Sequence, residues 1–339
     1  MREGLEKPET RTRSALPRPG APSVTVRHDE LRPKQQKIAL LTILGPTLGV
    51  AAAVALACVR GFSALDFWML LVGIVVGQLF LEVGFHRLLA HRAFETHRWM
   101  RIVLAIGGSM TGQGRVTHWV ANHRRHHVHS DTESDPHSPY VRARRDGQGA
   151  EPLGLVRGLV HAQWGHMLSD DVPNCTLFAK DMNVDPALRK VNEHYALILW
   201  VGLLLPALIG WALAGDGWGA LSGFLWGGLA RMFVVQNVTW AVASASHRFG
   251  YTRFATGDES RNLIWTALPS FGSGYQNNHH AFPHSAFLGL RWWELDVGAM
   301  ALRVLSWLGL AWNLNSPDER QLREKLLAPA RAPADSAKP

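Results

Sequence analysis

Residues 39–59 read ALLTILGPTLGVAAAVALACV, an unbroken run from Ala39 to Val59 without a charged side chain. A helix crossing ~30 Å of hydrocarbon needs about 20 such residues, because lipid offers nothing to pair a bare backbone amide. Three more runs follow: Phe67 to Leu81, Tyr195 to Gly215, and Trp218 to Ser246, the last interrupted only by Arg231. The first two are joined by Arg60 to Asp66 and the last two by Asp216-Gly217. Links so short force each pair into a hairpin. The expected fold is an all-α membrane protein with four transmembrane helices in two hairpins. The N-terminal, middle and C-terminal segments then share one side and form a helical cap there. The apolar stretch Ile102 to Met110 is too brief to cross.

Composition agrees. Of 339 residues 47% are hydrophobic and 18% charged, against about a quarter charged in soluble proteins. A disordered chain, a collagen and a simple soluble globule are excluded. Two cysteines, Cys58 and Cys175, make no disulfide framework and no Cys-rich zinc module. The 14 tryptophans suit membrane–water interfaces, and Trp292 and Trp293 are expected to seat the cap there. The net charge of +8 would suit nucleic acid. Its basic excess lies in a tail and in loops beside apolar spans, however, where it marks the cytoplasmic side, so no nucleic-acid partner is expected. The chain is thus expected to be multi-pass in the inner (cytoplasmic) membrane. Residues 1–37 read as a disordered cytoplasmic tail, 38–315 as the membrane domain and 316–339 as a flexible C-terminal tail.

Most of the chemistry-bearing residues among the 17 histidines stand in groups. The first is His86-Arg-Leu-Leu-Ala-His91, the second His123-Arg-Arg-His126-His127, and the third Gln276-Asn-Asn-His279-His280; His247 stands alone at the end of the fourth run. The topology puts all of them on one face of the membrane. Positions i, i+3 and i+4 share a helix face, so His123, His126 and His127 can converge on one point, as can Gln276, His279 and His280. His86 and His91 lie about 140° apart on a 3.6-residue helix. They could not chelate one ion from a regular helix, but could flank a pair. Neutral imidazole suits iron, zinc and copper, and eight histidines exceed what one ion needs, so a dinuclear centre is the economical reading. Arg124 and Arg125 are expected against lipid phosphates.

These residues resemble a known family. The stretches Gly84-Phe-His-Arg-Leu-Leu-Ala-His-Arg92, His123-Arg-Arg-His-His127 with Ser130-Asp131 and Asp135-Pro-His137, Thr239-Trp240 ahead of His247, and Asn277-Asn-His-His-Ala-Phe-Pro283 are similar to those of the membrane fatty acid desaturases. The likeness is specifically to the acyl-CoA type acting between carbons nine and ten, and runs from about Phe62 to Asn313. It implies that 38–315 is a membrane fatty acid desaturase domain whose cap holds a His-rich di-iron site. By carry-over His86, His91, His123, His126, His127, His247, His279 and His280 would hold two non-haem iron ions, with dioxygen as co-substrate reduced to water. It further implies unsaturated fatty acid biosynthesis, a fatty acyl substrate carried on CoA or lipid, surrounding membrane lipid, and a separate electron donor (ferredoxin, rubredoxin or cytochrome b5) with its reductase.

The chain departs from that pattern in five places. Gln276 stands where the third group usually begins with His. Ala243 replaces an Asn that helps hold a metal-bound water. Gln236-Asn237 replaces His-His, Phe287-Leu288 replaces Arg-His, and Glu82 replaces a small residue. These changes are expected in or near the metal shell, with Glu82 and Gln276 partly replacing the lost ligands. Asp131, Asp135 and Asn277 are expected in or just behind that shell, the two acids orienting imidazoles. Trp119, Asn122, His161 and Trp164 are candidates for the substrate channel. The altered shell keeps an acyl or lipid hydroxylase, or a diverged weakly active paralogue, as alternatives. A membrane metal-ion binder is the reading from a different class.

Overall fold

The computed structural model describes residues 23–26, 32–144, 149–169 and 171–326. Among them four helices are long and apolar enough to cross a membrane, as the sequence implies. Helix α1 (Arg32–Arg60) begins inside the expected N-terminal tail. Helix α2 starts at Ala64, where Ser63 and Asp66 form a capping box, and runs as an α-helix to Leu79. It does not stop near Leu81. It continues as a π-helix over Phe80–Ala90, which carries His86 well past the expected end of the span.

The other hairpin is α6 (Tyr195–Ala214) and α7 (Gly217–Ala245). Gly215 closes α6 in the left-handed region, and the Asp216 carboxylate accepts from Gly219 N to start α7. The two helices touch backbone to backbone. A Cβ on Gly210 would lie 2.1 Å from the Gly219 carbonyl oxygen, and one on Gly223 2.0 Å from that of Pro206. Small residues permit such approach, and in lipid close packing has to do the work of the hydrophobic effect.

Between α2 and α6 the chain turns back into the bundle. Helix α3 (Arg98–Ser109) ends in the turn Met110–Gly114, which reaches in among the spans. Arg231 donates to the carbonyls of Met110 at 3.1 Å and of Gly202 at 2.8 Å, Gln236 Nε2 donates to that of Gly112 at 2.9 Å, and Gly114 N donates to the Tyr195 hydroxyl. Irregular backbone survives at membrane depth only where protein satisfies its polar groups. This turn therefore accounts for the lone arginine inside a span. It also accounts for Gln236, which faces the turn and not a metal shell.

The remaining segments form the cap: α4 (Val116–His129), α5 (Leu155–Gln163), α8 (Gln276–Ala281) and α9 (Val297–Trp307). Three two-residue to three-residue antiparallel pairings tie its loops, such as Glu95–Thr96 with Ala311–Trp312. The main core joins the π-helical end of α2 to α3, α4 and α9, with Leu81, Phe85 and Leu89 against Leu104, Val120 and Leu302. Arginines pin the cap to it, Arg87 and Arg125 buried and Arg124 half-buried. Arg87 donates to the carbonyls of Ala286 and Phe271 and pairs with Asp296 at 2.7 Å. Arg124 donates to the carbonyls of Leu89 and Ala90 and pairs with Asp181, and Arg125 reaches the Ser134 carbonyl and Asp171. The last two are thus engaged within the protein and not with lipid phosphates. Trp292 is almost fully exposed and Trp293 partly so. The expected tails 1–37 and 316–339 lie in large part outside the described residues, and Glu319–Lys325 is a helix capped by Asp318.

Candidate metal centre

The π-helix decides where the first histidines point. Its hydrogen bonds run from i+5 to i, and His91 N donates to the His86 carbonyl at 3.1 Å. Residues five apart therefore stack on one face. The rings of His86 and His91 lie 5.0 Å apart, and the expectation that they diverge fails because it assumed 3.6 residues per turn.

The second and third groups behave in the opposite way. On α4, positions three and four after His123 leave its line by about 60° on one side and about 40° on the other. His126 and His127 consequently diverge, and His123 and His126 rings stand 6.4 Å apart. Helix α8 splits His279 from His280 in the same manner. The result is two sets of imidazoles. His86, His91, His123 and His279 each bring a ring nitrogen within 4.8 Å of the others, and so do His126, His247 and His280. His127 stands between the sets, its ring 4.6 Å from His279 and 4.4 Å from His280. All eight histidines expected at the centre lie in this one cluster. Neither the His123 set nor the Gln276 set converges on a single point.

Carboxylates stand behind the rings. His247 Nδ1 lies 2.9 Å from Asp131, His126 Nδ1 2.9 Å from Asp135, His280 Nδ1 2.6 Å from Asp258, and His86 Nδ1 3.1 Å from Glu82. Each acid accepts from the proton on Nδ1 and aims Nε2 inward; His247, which burial lowers but Asp131 raises to about 9, also carries a proton on Nε2 at neutral pH that a metal would displace. His247 Nε2 and His280 Nε2 are buried without a partner among the described residues, as is His279 Nδ1. Burial and the neighbouring imidazoles push His91, His123, His126, His127 and His279 well below the ordinary histidine range, so they are neutral donors at neutral pH. Orphaned inward nitrogens, neutral rings and acids behind them fit a nitrogen-ligated transition-metal pair.

Asp258 escaped the sequence reading, because a loop acid 22 residues before His280 carries no spacing signal. His137 did too. It lies 4.4 Å ring to ring from His126 and forms a third close set with His126 and Asp135. Glu82 stands behind His86, accepting also from Ser273 and lying 3.7 Å from Arg87. Gln276 donates to the Ser273 carbonyl. Asn277 clamps backbone, accepting from Arg253 N and Phe254 N. Asn237 accepts from Gln163 of α5, and Phe287 and Leu288 pack in the cap, so these departures lie away from the imidazoles.

A cavity opens on the cluster. His86, His123 and His126 form its inner wall, and Trp119 stacks on His123 at 5.1 Å and 13°. Asn122, Ala243 and Gln276 also line it. From the segment containing His161 and Trp164 the cavity takes Ala162, His166 and Met167 instead.

A family model described as fatty acid desaturase matches residues 64–306. The chain is 40% identical over 306 residues to a hex-5-enoyl-[acyl-carrier protein] acetylenase of Moorena producens, covering 90% of this chain and 94% of that one. It is 38% identical to an sn-1 stearoyl-lipid 9-desaturase of Anabaena variabilis, over 77% of this chain and 85% of the relative. An icosanoyl-CoA 5-desaturase of Limnanthes douglasii is 33% identical over 83% of this chain and 74% of its own.

Proposed function

This chain belongs to the fatty acid desaturase family, and from that premise we propose that it removes two hydrogens from a fatty acyl chain, between carbons nine and ten, using two iron ions and dioxygen. It is a fatty acyl desaturase, an oxidoreductase of the membrane, and the reading as a mere metal-ion binder is set aside. The observation that carries the finer proposal is the pair of adjoining imidazole sets opening on one cavity. In it His86, His91, His123 and His279 would hold one ion, His126, His247 and His280 the other, with His127 between them. Iron there would supply, with dioxygen, the oxidising power that no side chain has.

The protein's own part is to hold and to exclude. Asp131, Asp135, Asp258 and Glu82 keep four rings turned inward. Trp119 braces His123 and walls the cavity, so that an acyl chain lies beside the rings with bulk water kept out. The active site faces the cytoplasm, a reading that the basic excess of the tail and cap supports, and a separate electron carrier supplies reducing equivalents. The acyl carrier is CoA or a lipid. Residues 38–315 form the catalytic domain between two tails.

The test is mass spectrometry of lipids from cells expressing the chain and fed defined saturated acyl groups. The expected product has lost two hydrogens at carbons nine and ten. A product that gains an oxygen would establish the hydroxylase, and no product in iron-replete membranes would overturn the proposal. The acetylenase likeness adds one arm: a substrate already carrying a double bond, scored for a triple bond.

A further inference from the structure

An acyl cavity in a bilayer should be walled by hydrocarbon, and the deep end of this one is not. Gln78 of α2 lines it, is 1% exposed, and neither atom of its amide has a hydrogen-bond partner among the described residues. Gln113, at the tip of the re-entrant turn, lines the same cavity with its Nε2 equally unpaired. Other polar groups at this depth are engaged: Arg231 and Gln236 are taken up by the carbonyls of Met110, Gly202 and Gly112. The two free amides are therefore not a general feature of the bundle. A buried donor or acceptor left bare is costly, and one such group invites a partner that arrives with the ligand.

Gln78 stands eight residues before His86 on one continuous helix, which puts it up to about 12 Å beyond the imidazoles, towards the middle of the bilayer. A chain entering from the cap and passing the rings would bring its far end there. Resting on the desaturase reading above, we propose that this cavity takes an acyl chain bearing a hydrogen-bonding oxygen, a hydroxyl or carbonyl, near its distal end, held by the amides of Gln78 and Gln113. Substrate selection then works by both sign and shape: a plain methyl end leaves both amides bare, and an oxygenated end satisfies them.

The experiment measures binding of radiolabelled octadecanoate and of its ω-hydroxy analogue to the purified full-length protein in detergent, together with turnover of both as acyl thioesters. The wild type is expected to favour the hydroxylated chain about tenfold, and Gln78→Leu to abolish or reverse that preference. Folding is checked by the thermal midpoint, which Gln78→Leu should leave unchanged or raise, since it removes an unpaired buried amide. Gln113→Leu serves as a second variant and should weaken the preference. Equal binding of the two chains by the wild type, or a preference unmoved by Gln78→Leu, means that the amides hold only water, and overturns the proposal. A clear binding preference without oxidation of either chain supports it while sinking the desaturase reading. Oxidation of both without preference does the reverse.

Discussion

Removing the Asp258 carboxylate should loosen metal at the centre without touching any ring that would bind it. The carboxylate sits 2.6 Å from His280 Nδ1 and is itself held by Thr256 Oγ1 at 2.7 Å and Ser260 N at 3.0 Å. Burial pushes this carboxyl up, but His280 and the hydroxyls of Ser260 and Thr256 outweigh that and hold it far below the usual carboxylate range. It is therefore a permanent acceptor that keeps the His280 proton on Nδ1 and leaves Nε2, which has no partner, facing His247 and His126. Asp258→Ala frees the ring to turn and to take the other tautomer. Loss of such an outer carboxylate costs about 10–100-fold in metal affinity, or about 1.4–2.7 kcal/mol at 1.36 kcal/mol per decade. The assay is iron retained by the purified protein against a graded chelator. The midpoint should move to lower chelator by one to two decades for Asp258→Ala and by less for Asp258→Asn. It should stay in place for Glu151→Gln, a surface acid paired with Arg142 and Arg157. If Asp258→Ala holds iron as the wild type does, the acids do not orient the rings.

The metal-free protein should lose stability as pH falls below about 6.5. Five imidazoles held well below the ordinary range are neutral when folded and take up protons on unfolding, so the unfolded state binds more protons and acid favours it, each contributing about 1.36 kcal/mol per pH unit until its folded pKa is reached. His247 opposes this: burial lowers it, but Asp131 raises it to about 9, so its contribution is present below 6.5 and is lost as pH climbs through 9. Thermal midpoints of chelated protein across pH 5–8 check the sign. Arg87→Met breaks a buried pair with Asp296 and should cost about 3–5 kcal/mol, read as a lowered unfolding midpoint in detergent. Gln236→Leu leaves the Gly112 carbonyl bare at membrane depth and should cost about 1–3 kcal/mol by the same measurement. In Gly158→Ala the new Cβ would lie 1.8 Å from the Pro139 carbonyl oxygen, so α5 must shift; a loss of about 1–3 kcal/mol is expected, with reduced acyl binding because α5 carries Ala162 to the cavity wall.

The spans were readable because transfer into lipid is a property of composition, and twenty uncharged residues announce themselves whatever they pack against. The hairpins followed from link length alone. The re-entrant turn was not readable. Ile102 to Met110 is short for a crossing, and only Arg231 and Gln236, more than 100 residues later, make its buried backbone tolerable. Seven of the eight histidines stand out by their grouping and His247 enters through the family likeness, yet their sorting into two sets could not be read. That sorting depends on the π-helical winding of Phe80–Ala90, which no periodicity reveals, and on the divergence of i+3 from i+4. Asp258 was hidden for a related reason: an acid's use depends on where a loop is carried, and Asp131 and Asp135 were noticed only because they follow a histidine group closely.

The departures from the family pattern make more sense sorted by geometry than by sequence. Gln236, Asn237, Phe287 and Leu288 brace the turn, α5 and the cap. Glu82 buttresses His86 from behind. Gln276 and Ala243, with Glu82 beside His86, lie on the cavity wall that the imidazoles also face. An oxidising centre needs a side that its protein ligands leave open, since a site closed on all sides is structural and one with an open position can react. The seven rings of the two sets, with His127 between them, surround the centre from α2, α4, α8 and the end of α7, while a small methyl and a neutral amide stand on the cavity wall. Losing a histidine and an asparagine at these two positions widens the approach from the substrate side and leaves the opposite side fully furnished. On the proposed reading the substitutions would bear on what reaches the metals more than on whether metals are held, and chelator midpoints for Ala243→Asn and Gln276→His near that of the wild type, with altered product ratios, are what this geometry requires.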